Sequence, residues 1–126
     1  MSVGKSVGEF SLASTSVTVS SNPGEGWSQQ VNLEGTATGF GAVIGTLTFH
    51  ASEAGADNGY VTWAGSSYMD DGEAGGSLGR GVFEKSGANK WRVRAVLQIT
   101  GGPLLLSDGE VALEGRTYVG TLYEWE

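Results

Sequence analysis

The sequence predicts an all-β domain, a single antiparallel barrel of about eight strands, with a two-sheet β-sandwich as the alternative. Glycine carries the first argument. It fills 22 of the 126 positions and is spread along the whole chain, so hardly any stretch of helix length escapes this poor helix former. The second is an apolar/polar alternation of period two, the spacing that puts successive strand side chains on opposite faces. The third is turn chemistry between the alternating runs.

Taken in order, residues 10–20 form a first strand that ends at Asn22-Pro23-Gly24, and residues 27–38 a second that ends at Gly39-Phe40-Gly41. Residues 42–52 follow, and Asp57-Asn58-Gly59 leads into 59–69, which Asp71-Gly72 closes. Residues 76–86 and 90–100 flank the break at Ser86-Gly87. In the latter strand Trp91, Val93, Ala95, Leu97 and Ile99 share one face, and Arg92, Arg94, Val96, Gln98 and Thr100 the other. Setting Phe83 opposite Val93 puts Glu84 opposite Arg92 on the outside, whereas a slip of one residue would turn Trp91 outward. After Gly101-Gly102-Pro103, Leu104 to Leu106 are open to either strand or loop, and the break at Asp108-Gly109 introduces strands 109–114 and 117–125.

Short connections favour neighbouring antiparallel strands. Glycines inside the strand patterns, Gly45, Gly65, Gly79, Gly81 and Gly120, weaken strands unless they permit bending or close approach, and closure needs bending. A closed barrel also removes the two edges that an open sheet would leave as aggregation templates. The group Val31-Asn-Leu-Glu-Gly35 returns as Val111-Ala-Leu-Glu-Gly115, which two similar strand pairs or common β composition explains equally well. Residues 1–126 make one domain, with 1–9 read as a flexible N-terminus.

Composition bounds the function. The chain has no cysteine, so thiol nucleophiles and cysteine-bearing zinc sites are out, and a reducing, cytoplasmic setting fits. Its start lacks the apolar run of a secretory signal, and no stretch has the roughly 18 apolar residues of a membrane helix. A net charge of -7 and a pI near 4.5 repel phosphate backbones and anionic lipid, so neither nucleic acid nor membrane is expected as a partner.

No motif implies a cofactor or a metal. His50, the only histidine, is expected at an exposed or rim position. Gly4-Lys5-Ser6-Val7-Gly8 matches a nucleophile elbow in letters but not in context. Asp70-Asp71-Gly72-Glu73 lacks calcium-loop spacing and reads as a solvated turn. Glu34 and Glu114, in the echoed groups, point outward if Leu33 and Leu113 face the lumen. Arg80, Lys85, Lys90, Arg92 and Arg94 make one hairpin locally cationic, either as ordinary outer-face charge or as a contact surface.

Aromatic residues occur on most strands, beside many small ones. Such an interior is either filled by its own side chains or leaves room for one small ligand. The filled interior gives the alternative reading, a non-catalytic structural or protein-interaction module with Glu84, Arg92 and Arg94 as contacts. The leading reading is a barrel that binds a hydrophobic small molecule in its lumen, extending to a cofactor-independent cyclase or isomerase. Its walls would be Phe49, Trp63, Phe83, Trp91 and Leu97, with Tyr60, Arg94 and Tyr118 as polar contacts.

Gly/aromatic-rich strands of this length, the segment Gly79-Arg80-Gly81-Val82-Phe83-Glu84, and the tail Leu113-Glu114-Gly115-Arg116-Thr117-Tyr118 ending in Tyr123-Glu124-Trp125 resemble the allene oxide cyclase-like barrel superfamily. The likeness runs across about Trp27 to Trp125. It implies a small antiparallel barrel of allene oxide cyclase-like or lipocalin-like architecture, an apolar ligand handled without a cofactor, and a homo-oligomer. It assigns no catalytic residue.

Overall fold

A computed structural model describes residues 3–24 and 26–125, apart from the side chain of Asn22. Eight strands follow one another: β1 (Val3–Asn22), β2 (Gly26–Ala37), β3 (Gly41–Ala51), β4 (Asn58–Tyr68), β5 (Ala74–Gly87), β6 (Lys90–Ile99), β7 (Leu104–Ala112) and β8 (Thr117–Trp125). Each pairs antiparallel with the next, and β1 pairs with β8 to close the barrel. The β-sandwich alternative is thereby excluded. No helix occurs among the described residues.

The period-two pattern sets inside from outside. Phe10, Leu12, Leu33, Leu47, Val61, Phe83, Val93, Tyr118 and Leu122 point inward and form one buried cluster. The expected hairpin register holds, with Phe83 opposite Val93 and Glu84 opposite Arg92. Trp91 accordingly stays on the inner face, packed against that cluster.

Three expectations need correcting. Residues 3–9 are not a loose tail: Val3 pairs with Trp125, Ser6 with Tyr123 and Gly8 with Leu122, so this segment helps to close the barrel. Met1 and Ser2 lie outside the described residues. Asp108-Gly109 is not a break but the middle of β7, which begins at Leu104. Gly109 is needed there because a Cβ would sit 2.7 Å from the Tyr118 ring and 2.8 Å from the Phe10 ring. The echoed groups are not equivalent either, since Val31 to Gly35 lies within β2, whereas Leu113 to Gly115 forms the β7–β8 turn, with Gly115 at φ 78°.

The connections sort to two ends. The β2–β3, β4–β5 and β6–β7 turns sit at one mouth, and the β1–β2, β3–β4, β5–β6 and β7–β8 connections at the other. At the second mouth the β1–β2 hairpin continues past the start of β8, whose last register partner on β1 is Ala13.

Candidate functional site

The inner wall is interrupted by two recesses that share no lining residue. Between them the barrel is solid. Val61 and Val93, 1% and 0% exposed, line neither recess and belong to the packed core.

The first recess opens at the β2–β3 mouth and holds about 70 Å³. Trp63, Leu97 and Tyr118 line it with Phe10, Phe40 and Ile99. Its narrowness has a cause in the sequence. The Trp63 indole lies over Gly45 and Gly65, close enough that a Cβ at Gly65 would fall 2.5 Å from the ring. The small residues that promised open space are therefore occupied by a neighbouring ring. Trp63 is held there by its Nε1–H, which donates to Ser77 Oγ at 2.9 Å. Burial pushes the Tyr118 phenol well above its usual range, with the Ser107 hydroxyl opposing the shift, so it stays a neutral hydroxyl.

The second recess is a bowl of about 640 Å³ at the opposite mouth. Phe49, Phe83 and Trp91 line it together with Trp27, Val111 and Leu113. Phe49 and Phe83 meet edge to face, with centroids 5.1 Å apart, and stiffen the floor. Ser14, Ser16, Gln29, Glu53, Arg116 and Thr117 supply the polar part of the wall, and Glu53 and Arg116 are exposed. An aromatic floor with a few polar groups around it suits a ligand with an apolar body and a polar end.

The eight expected ligand contacts are thus divided. Phe49, Phe83 and Trp91 come together at the bowl, and Trp63, Leu97 and Tyr118 at the narrow recess. Tyr60 and Arg94 are on the outer face and reach neither, because their positions carry the outward phase of β4 and β6. Tyr60 instead stacks on His50, with rings 4.4 Å apart and 5° from parallel. Leu113 is not a lumen residue but a 57% exposed part of the bowl's lip, and Glu34 and Glu114 are both exposed. Gln29 and Arg116 line the bowl without being among the expected contacts. Gln29 had a signal, a polar residue in the inward phase of Trp27, Val31 and Leu33, which marks where an apolar wall becomes a mouth.

Two of the five cations of the hairpin, Arg92 and Arg94, are engaged within the chain. Arg92 donates from Nε to Asp108 Oδ1 at 2.9 Å and from Nη2 to Oδ2 at 2.6 Å, a two-pronged pair across β6 and β7. These hydrogen bonds hold the Asp108 carboxyl below the usual carboxylate range. Arg94 pairs with Glu84. The Asp70 to Glu73 segment is an exposed turn, with the Glu73 amide donating to Asp71 Oδ1 at 2.9 Å.

Comparison with protein-family models, with curated proteins and with solved structures finds no match to this chain.

Proposed function

We propose that the barrel is a binding protein for a hydrophobic small molecule, and that the ligand sits in the bowl at the mouth formed by β1–β2, β3–β4 and β7–β8. One observation carries this reading: a recess of about 640 Å³ with Trp27, Phe49, Phe83 and Trp91 in its wall. Small-molecule sites commonly span about 300 to 1,000 Å³ and are lined mainly by apolar and aromatic groups, often in barrel mouths. The other recess argues for itself poorly. Its volume of about 70 Å³ is under half of the roughly 150 Å³ that accepts a benzene ring in an engineered protein cavity.

A cyclase or isomerase is less well supported. Such chemistry draws on an acid or base beside the reacting atoms. Glu53 and Arg116, the ionisable groups of the bowl, stand exposed, and the narrow recess is lined by hydroxyls and hydrocarbon.

Fluorescence titration tests the reading. A saturable change in tryptophan emission is expected with an anilinonaphthalene dye or straight-chain fatty acids, weakened about tenfold or more by Trp91→Ala, since burying such a ring is worth over 1.4 kcal/mol. Leu97→Ala, in the other recess, leaves the affinity unchanged. No saturable response to any of these probes would remove the proposal.

A further inference from the structure

Closure of this barrel leaves β1 paired on one side only at both of its ends: Val3 to Gly8 pair with β8 alone, and the stretch beyond Ser14 with β2 alone. β1 pairs with β8 as far as Ala13, and the Ser14 amide adds a last bond to the Arg116 carbonyl at 2.8 Å. A register shift between Ser14 and Ser16 then marks a bulge at Thr15. From Ser16 to Asn22, β1 pairs only with β2, and among the described residues nothing occupies its other edge.

A strand edge carries alternate N–H and C=O groups with no partner, and such edges are usually blunted with lysine, proline or inward charge. Apart from the bulge at Thr15, where it begins, this one has none of these devices: Ser16 to Ser21 contains no charge and no proline. Val17 and Val19 are each 49% exposed. They carry the inward phase, opposite Val31 and Gln29, while Thr18 faces outward opposite Gln30.

The segment is also a palindrome. Ser16-Val17-Thr18-Val19-Ser20 reads the same from either end. Two copies of an edge that run antiparallel about a two-fold axis must present self-complementary patterns, residue i meeting j and j meeting i. Centred on Thr18, the pairing sets Val17 against the second copy's Val19, Ser16 against its Ser20, and Thr18 against its Thr18. β-Branched and Thr–Thr pairs are among the favourable cross-strand combinations.

We propose that the free edge of β1 from Ser16 to Ser20 is a dimer interface, in which a second copy of this chain adds its own β1 antiparallel about Thr18. A continuous β2-β1-β1-β2 sheet results, and the exposed valines cover one another. Ser16 and Val17 also line the bowl, so the interface borders it, but the strand pairing does not require a ligand there.

Sedimentation and light scattering across a concentration series test it, using the intact chain. Wild type is expected to reach twice the 13.0 kDa monomer mass as concentration rises. Thr18→Lys and Thr18→Glu each place like charges on the axis, so each weakens association roughly fivefold. Both substitutions fall on an exposed side chain, and circular dichroism with thermal melting checks that they fold. Mixing the two variants restores dimerisation, because opposite charges then meet. Three results overturn the proposal: a wild type that stays monomeric at every concentration, a dimer indifferent to either charge, or a mixture that associates no better than its components.

Discussion

Gly81→Ala probes the reason for glycine inside this barrel. A Cβ at Gly81 would point at β6, 2.6 Å from Ala95 Cα and 2.8 Å from Ala95 Cβ, and closer still to the Arg94 carbonyl oxygen. To restore ordinary contact at 3.4 Å, the Ala95 backbone would have to retreat by roughly 0.8 Å and the Arg94 carbonyl by more, and β6 is bonded to β7 on its far side. Overpacking of this kind costs about 1 to 3 kcal/mol, and obstruction by backbone rather than a rotatable side chain favours the upper end. Reduced freedom of the unfolded chain returns about 0.4 to 1 kcal/mol. A net loss of about 2 kcal/mol is expected. Gly87→Ala is the control, since the nearest atom to its Cβ is Lys90 Cδ at 3.8 Å, and its change should stay within about 0.5 kcal/mol of wild type. Urea unfolding followed by tryptophan fluorescence, with matching slopes, measures both. Equal stability of the two variants would refute the close-approach explanation.

Leu47, 1% exposed at the inner end of the narrow recess, should lose about 2 to 5 kcal/mol on truncation to Ala, by the same assay. The Arg92–Asp108 pair gives a pH signature. Because the folded Asp108 carboxyl titrates below its unfolded value, its contribution is complete above the unfolded aspartate value of about 3.9 and disappears as pH falls through the folded one. The stability gap between wild type and Arg92→Gln is therefore present at neutral pH and closes in acid, while carbon NMR of Asp108 moves its titration upward in the variant. Tyr60→Ala and Arg94→Ala, both outside the barrel, leave the affinity for apolar probes unchanged in the fluorescence titration.

Much of the architecture was legible because inward and outward positions alternate cleanly in strands such as β6, and because one pair, Phe83 with Val93, fixes the register of its hairpin. Gly109 misled because glycine after aspartate has the same letters in a turn as under two aromatic rings; only the neighbours Phe10 and Tyr118, 99 residues back and 9 ahead in the chain, distinguish them. The inward phase of Phe49, Trp63, Phe83 and Trp91 is legible in the sequence, but not their division between two mouths. That division depends on how far up the barrel each ring sits, and on Trp63 lying across Gly45 and Gly65, which no alternation encodes. Tyr60 and Arg94 have the polar chemistry of a ligand contact, but the phase of β4 and β6 places them outside.

The four tryptophans allow a direct test of where a ligand goes. Trp27 and Trp91 stand at the bowl, Trp63 at the narrow recess, and Trp125 at the exposed end of β8. Proton–nitrogen NMR resolves the four indole N–H signals during titration with a fatty acid. The bowl reading predicts saturable shifts of Trp27 and Trp91 with Trp63 and Trp125 unmoved. Shifts confined to Trp63, or to Trp125, would contradict it.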